Sequence, residues 1–242
     1  MPLQTVEPQR LYRQIAEQLR QAIASGEFAV GARLPAERDL AKQLGVSRPS
    51  VREALIALEV EAVIEVRTGS GIYVLAPRAK KAESADADTD APPEWGPLEL
   101  MRARELVEGE VAALAARHAK KADVQAMGGA LQQMRDEVGA GQEPRLGDEA
   151  FHAAIARACG NEVLRDTVRG YWRARCGPLF ERLGDHFDTV PSWNAAIAEH
   201  AAVLDAVRAR DADAARETMR RHLKKAHARY SGSWPAAKKG VR

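Results

Sequence analysis

Apolar residues recur at three- and four-residue spacing along most of the chain, which places them on one face of an α-helix. In the first part of the chain this pattern covers residues 9–25, 36–44 and 48–61. The next stretch, AVIEVRTGSGIYVLAP, instead has β-branched residues on both sides of a glycine-rich turn. The pattern therefore predicts three helices followed by a β-hairpin.

The later part of the chain shows the helical pattern alone, interrupted by short polar breaks. We predict a mainly α protein in which the front unit is followed by an antiparallel all-helical bundle. The predicted helices of the bundle cover residues 97–119, 122–139, 145–159, 161–184, 192–209 and 211–230.

Two segments have no hydrophobic periodicity. RAKKAESADADTDAPPEWGP, rich in Ala, Asp, Lys and Pro, separates the two patterns as a linker would, and the end of the chain is similarly featureless. We predict a front domain, a linker, a helical domain and a flexible tail, over residues 1–78, 79–96, 97–230 and 231–242.

The net charge, the apolar runs and the cysteines of the chain limit the classes of protein to which it can belong. A net charge of +2 is too small to attract an acidic polymer, so basic residues would have to be placed locally. No apolar run approaches the roughly 20 residues of a membrane span. Cys159 and Cys176 form no CxxC motif and no signal peptide precedes them, so we expect reduced cysteines in a cytoplasmic protein.

The front unit has the pattern of a helix-turn-helix. Leu40, Ala41 and Leu44 form the inner face of a short helix, and Gly45 permits the tight turn that follows. Ser47 is the predicted N-cap of the next helix. The hairpin after it forms the wing of a winged helix-turn-helix.

Basic and hydroxyl side chains are concentrated where such a unit meets DNA. Arg48, Ser50 and Arg52 lie in the first turns of the second helix, where we expect them to be exposed, and Arg38 lies on the helix before it. Arginine binds guanine bidentately in the major groove. Solvated surface charge is the alternative for isolated arginines, but the order of helix, turn, helix and hairpin favours DNA binding.

This front unit resembles the winged-helix domain of GntR-family bacterial transcription regulators. LPAERDLA, GVSRPSVREAL and GSGIYV occur in the family's order and at its separations. The resemblance implies a homodimer that binds a palindromic operator in double-stranded DNA. It also implies DNA contacts at six positions, which are Arg38, Ser47, Arg48, Ser50, Arg52 and Gly69.

Titratable residues interrupt the apolar faces of the helical domain. Asp148 and His152 lie four positions apart, and His200 and His222 each belong to the apolar stripe of a later helix. Three imidazoles and one carboxylate suit a divalent transition metal, with zinc as the default and nickel or manganese as alternatives. The competing interpretations are satisfied core histidines or a purely structural metal.

The helical domain resembles the ligand-binding domain of the FadR-type branch of the same family, through GDEAFHAAIARACGNEVL and the contexts of His200 and His222. The resemblance implies that these four residues hold a metal, and that a small carboxylate effector binds the metal and Arg104. Asn161 is a weaker candidate of the same kind. Arg173 and Arg175, beside Trp172, are further candidates for the effector pocket.

A finer resemblance, to regulators of hexuronate utilisation, lies in GPLELMRARELVE and the closing YSGSWP. It implies a transcription repressor that responds to a hexuronate or its keto-sugar product, while lactate, citrate and other small acids suit the same site. A metal-dependent hydrolase is the alternative from another class. Against it, the sequence has no HExxH motif, no obvious general base beside the predicted ligands and no nucleophile motif.

Overall fold

The structure is a computed structural model that describes residues 10–76, 95–232 and 234. The chain divides into two units, of which the first comprises residues 1–91, 181–186 and 233–242 and the second residues 92–180 and 187–232. The predicted linker, 79–96, lies outside the described residues except at Trp95 and Gly96. The predicted tail, 231–242, also lies largely outside them, although Ser231 still belongs to the last helix.

The first unit contains the predicted three helices and a two-stranded antiparallel hairpin. Gly45 ends the second helix in the left-handed conformation, at φ 67°, and Ser47 caps the third by accepting a hydrogen bond from the Ser50 backbone N–H. The elements are α1 (Leu11–Ala24), α2 (Glu37–Leu44), α3 (Arg48–Val60), β1 (Ile64–Arg67) and β2 (Gly71–Val74).

The hairpin is held on the helices by its apolar face. Ile64 pairs with Val74 across the two strands, and both side chains are buried in the core with Leu55 and Leu58 of α3. Leu34 donates its backbone N–H to Ile72 along the free side of β2. The prediction of a winged helix-turn-helix is confirmed.

The second unit is helical, with a core of alanine and larger apolar side chains. Alanine allows close approach, and α4 packs chiefly against α10 while α5 packs against α6 and α9. The helices after the hairpin are α4 (Pro97–His118), α5 (Lys121–Gly139), α6 (Arg145–Ala158), α7 (Glu162–Arg175), α8 (Pro178–Phe187), α9 (Val190–Arg208) and α10 (Ala212–Ser231). All of them belong to the second unit except residues 181–186 of α8, which belong to the first. Among the described residues no helix is both long and apolar enough to cross a membrane.

One predicted helix was wrong in its extent. The stretch 161–184 is not continuous, because α7 ends at Arg175 and α8 begins at Pro178. Proline has no N–H to donate and its ring clashes with the preceding turn, so a helix continues poorly through Pro178. Gly177 turns the chain between the two helices, and its N–H bonds to the Ala174 carbonyl at 3.2 Å.

Candidate metal centre and DNA-binding face

The structure brings together the four titratable side chains of the helical unit. Asp148 and His152 project from α6, His200 from α9 and His222 from α10, and every one of them is at most 5% exposed. One ligand atom from each lies within 4.8 Å of those of the others. Three helices thus deliver three imidazoles and a carboxylate to one buried point.

The distances show where these groups point. His152 Nε2 lies 3.2 Å from His200 Nε2, and Asp148 Oδ1 lies 3.1 Å from His200 Nε2 and 3.5 Å from His152 Nε2. The rings of His200 and His222 have centroids 4.3 Å apart. The Nε2 atoms and one carboxylate oxygen therefore face a common centre.

The other ring nitrogen of each histidine has an oxygen acceptor. Nδ1 of His152 contacts the Glu108 carboxylate, Nδ1 of His222 lies 2.9 Å from a Glu199 carboxylate oxygen, and Nδ1 of His200 lies 2.7 Å from the Ala196 carbonyl. An oxygen acceptor at Nδ1 leaves the Nε2 of a neutral imidazole free to bind a metal. Histidines that bind metals are oriented by outer partners of this kind. Burial lowers the pKa of His152, but the Glu108 charge and hydrogen bonds to Asp148 and Glu108 raise that pKa overall, so a metal at its Nε2 would displace a proton.

Without a cation this arrangement is unfavourable. When His200 is neutral and its proton is on Nδ1, its Nε2 lone pair faces Asp148 Oδ1 at 3.1 Å with no proton between them. Consistently, Asp148 Oδ1 is buried and makes no hydrogen bond within the described chain despite the short distance. A buried acceptor without a partner costs free energy, which a bound divalent cation would recover. The donor set fits a zinc-type ion.

Electrostatics keep two of these groups in the form that binds metal. Burial would raise the pKa of Asp148, but contacts with His152 and His200 and the Arg175 charge hold that pKa well below its ordinary value. Burial, followed by the His200 charge, lowers the pKa of His222 to about 3. At neutral pH Asp148 is thus an anion and His222 a neutral imidazole.

Glu108 connects the histidines to an arginine. It is 2% exposed, and Arg104 Nε lies 2.5 Å from its second oxygen. Burial would raise the pKa of Glu108, but the charges of Arg104 and His152 lower it to about 2. One carboxylate therefore orients both a predicted metal ligand, His152, and the predicted effector arginine. Sequence reasoning missed it, although Arg104 and Glu108 lie four apart on an apolar face.

A cavity opens beside the four side chains, and it is lined by Asp148, His222 and three arginines, Arg104, Arg175 and Arg229. The guanidinium groups of Arg104 and Arg175 lie over the ring of Trp172, at 4.7 and 5.1 Å from its centroid. Arg175 also lies 3.1 Å from an Asp148 oxygen. The cavity is therefore cationic and suited to an acid.

Two residues predicted for the effector pocket do not reach it. Asn161 is exposed and caps α7, where its Oδ1 accepts a hydrogen bond from Leu164 N–H at 3.1 Å. Arg173 is exposed as well. Positions two apart on a helix point to nearly opposite sides, so Arg173 faces solvent because Arg175 faces the cavity.

Most of the predicted DNA contacts lie on an open face of the winged helix. The Arg38 side chain is 81% exposed and that of Arg48 is 46% exposed. Ser47 and Ser50 share a hydrogen bond of 2.9 Å between their hydroxyls at the start of α3. Gly69 is exposed at the tip of the wing with φ 77°, a conformation that favours glycine.

Arg52 departs from the prediction. Its side chain is 0% exposed, and its guanidinium bonds to Glu37 on α2 at 2.7–3.0 Å. On its other side the Trp234 ring centroid lies 5.4 Å away. Arg52 thus presents no free donor to a base edge in this structure. We correct its expected role from a base contact to a link between α2 and α3.

A winged helix-turn-helix followed by a helical unit is the architecture of a DNA-binding transcription regulator. Residues 11–74 match the family described as "Bacterial regulatory proteins, gntR family", and residues 99–225 match the "FCD domain". The chain belongs to the gntR family and carries an FCD domain.

Named relatives agree with this assignment. The chain is 37% identical to the "Exu regulon transcriptional regulator" of Escherichia coli K12, covering 91% of this chain and 84% of that one. It is 36% identical to the "Uxu operon transcriptional regulator" of the same strain, with 89% and 84% covered. The solved structure titled "Streptococcus agalactiae GntR" matches at a TM-score of 0.46 and 26% identity, covering 89% of this chain and 98% of that one.

These findings confirm the prediction of a DNA-binding transcription regulator. They go against the alternative of a metal-dependent hydrolase, because the family and its named relatives are regulators and not enzymes.

Proposed function

We propose that this regulator is a homodimeric repressor that binds a palindromic operator and is controlled by a small carboxylate. The acid binds at a divalent metal in the helical unit, and a hexuronate or its keto-sugar product is the favoured effector. As a regulator of bacterial DNA, the protein acts in the cytoplasm. Asp148, His152, His200 and His222 hold the metal, for which we favour zinc over nickel or manganese.

One observation carries this proposal. Three histidines are each oriented through Nδ1, so that their Nε2 atoms and Asp148 Oδ1 face one point beside a cavity with three arginines. A bound metal would supply a Lewis acid for the carboxylate of an effector. Arg104 lies beside it with a buried NH2 group that has no hydrogen-bond partner among the described residues.

The choice of a hexuronate is supported by the names of the relatives, which refer to the Exu regulon and the Uxu operon. A more distant relative at 32% identity is named as a putative L-lactate dehydrogenase operon regulator, so lactate stays an alternative, as does citrate. A sugar acid offers a carboxylate for the metal and hydroxyl groups for the arginines.

The DNA contacts that we propose are those of Arg38, Ser47, Arg48 and Ser50, together with the backbone at Gly69. The long exposed side chains of Arg38 and Arg48 reach base edges or phosphates, and the hydroxyls of Ser47 and Ser50 lie at the positive N-terminal end of α3, which favours a phosphate. Arg52 makes no DNA contact in this proposal. It links α3 to α2 through its hydrogen bonds to Glu37.

The test is DNA binding by zinc-loaded protein to operators selected from a random duplex pool, at a stated salt concentration. We expect the selected sites to be palindromic, and galacturonate or glucuronate to change the affinity for them when zinc is bound. Arg38→Ala should cost about 1–3 kcal/mol of operator binding, and Arg135→Ala, an exposed change on α5, should cost none.

Several outcomes would contradict the proposal. Failure to select any sequence would remove sequence-specific binding, and an operator response that persists in EDTA would remove the metal from effector sensing. If His152→Ala lowered thermal stability without altering the response of DNA binding to any acid, the metal would be structural.

A further inference from the structure

Arg229 lines the cavity but is not one of the residues of the candidate metal site. It lies near the end of α10, seven positions after His222, and therefore on the same face of that helix. Seven residues advance a helix by roughly 10 Å. Arg229 lines the same cavity as Asp148, His222 and Arg104, and its backbone position on α10 lies roughly 10 Å from that of His222.

The guanidinium of Arg229 is incompletely satisfied. Its NH1 group lies 3.4 Å from the Ser192 carbonyl oxygen, a long contact, and its Nε is buried without a hydrogen-bond partner in the described part of the chain. Arg104 is 2% exposed, and its NH2 group is also buried without a hydrogen-bond partner in the described part of the chain. Buried N–H donors without a protein partner are uncommon in folded proteins, and where they line a cavity they require an acceptor from water or a ligand.

The two unsatisfied donors come from different helices. Arg104 belongs to α4 and is already bound to Glu108, whereas Arg229 belongs to α10, which packs along α4. A ligand that fills only the space beside the metal ligands would satisfy Arg104 alone. A longer ligand with oxygens at both ends would satisfy both arginines.

A structural role is the competing explanation. Arg229 lies near Asp188, whose carboxylate accepts hydrogen bonds of 3.0 and 3.1 Å from the Tyr230 hydroxyl. The charge of Arg229 stabilises that carboxylate. A structural role needs only the positive charge of Arg229 near Asp188. It does not explain why the buried Nε of Arg229 has no hydrogen-bond partner in the described part of the chain.

We infer that Arg229 binds the second polar end of the effector and selects a long hydroxylated or dicarboxylic acid over a short monocarboxylate. This inference rests on the proposed function, since it assumes that a carboxylate binds near the four ligand side chains. Hydroxyl or carboxylate oxygens distant from the metal-bound carboxylate provide the acceptor for Nε. Lactate is too short to reach both ends.

The experiment compares the affinities of zinc-loaded full-length proteins for galacturonate, glucuronate and lactate by calorimetry. Arg229→Gln should weaken hexuronate binding roughly 10- to 100-fold, because one hydrogen bond to a charged group is lost. Lactate binding should change less than about threefold, within the scatter of such measurements. Arg221→Gln, on an exposed position of the same helix, is the charge-matched control and should change neither.

Arg229→Lys separates the two roles of the residue. Lysine keeps the cation near Asp188 but has no donor at the position of Nε, so ligand-free thermal stability should be retained while hexuronate affinity falls. Full hexuronate affinity in Arg229→Lys, or equal weakening of hexuronate and lactate in Arg229→Gln, would overturn the inference while leaving the proposed function intact. If the unaltered zinc-loaded protein bound none of the three acids, both would fall.

Discussion

In the DNA-binding unit, the buried carboxylate of Glu37 accepts hydrogen bonds from Arg52, with a further bond from Arg48 at 3.0 Å. In the helical unit, the buried Asp148 carboxylate turns one oxygen to Arg175 and the other, Oδ1, toward the Nε2 atoms of His152 and His200. Both clusters are enclosed in protein. The Glu37 cluster pairs arginine donors with a carboxylate acceptor. The Asp148 cluster brings four possible metal-ligand atoms close to one point.

This difference separates a structural cluster from a binding site. A buried ion pair with good geometry needs nothing more and connects the elements that carry it. A convergence of acceptors is stable only when a cation joins them, so it indicates a ligand. The comparison also explains why Arg52, which lies on the recognition helix, is not an exposed DNA contact in this structure.

Removing the carboxylate of the paired cluster should have the largest effect. Glu37→Ala leaves the Arg52 charge buried without its carboxylate, and we expect a loss of about 3–5 kcal/mol in the free energy of unfolding. Chemical denaturation with and without zinc measures it, and the loss should be the same in both. Asp39→Ala, an exposed change on the same helix, is the control. A loss below about 1 kcal/mol, the size of an exposed pair, would mean that the cluster is not a structural link.

Removing the proposed zinc ion should destabilise the cluster of Asp148, His152, His200 and His222. Zinc at about 100 times its dissociation constant should stabilise the protein by about 2.7 kcal/mol, because it binds only the folded state. His200→Ala should abolish most of this zinc-dependent gain, measured as the difference between zinc and EDTA samples. A wild-type protein equally stable in zinc and EDTA would contradict the proposed metal site.

Removing an outer partner should have a smaller effect on the same site. Glu108→Gln keeps an oxygen near Arg104 but takes the anionic acceptor from His152, so zinc affinity should fall roughly 10- to 100-fold. Competition with a chelator measures the affinity directly. Glu99→Gln, exposed on the same helix, should leave it unchanged. An unchanged affinity in Glu108→Gln would show that His152 needs no orientation from Glu108.

The smallest effect should come from the helix cap beneath the DNA-binding face. Ser47→Ala removes the acceptor for the Ser50 N–H and should cost about 1 kcal/mol of stability in the first unit. Ser25→Ala, at a position that caps no helix N-terminus, is the matched change. If Ser47→Ala weakened operator binding while stability stayed constant, Ser47 would act on DNA and not as a cap.

Much of the fold follows from local pattern. The periodic stretches at 9–25, 36–44 and 48–61 correspond to α1, α2 and α3 within two residues at each end. The break in 161–184 was also visible, since GP at 177–178 is a strong helix breaker that the apolar spacing concealed. Asn161 likewise had the residue type and position of an N-cap, which is the role it takes.

The sequence by itself determined the class of protein and the identity of the clustered residues, because periodicity assigns Asp148, His152, His200 and His222 to inner faces. Only the tertiary structure decided their outer partners, Glu108, Glu199 and the Ala196 carbonyl, and which arginines line the cavity. The physical reason is that helix rotation and packing across distant parts of the chain set these contacts. The spacing of apolar residues shows which side of a helix is buried, but it does not show which residues of other helices pack against that side.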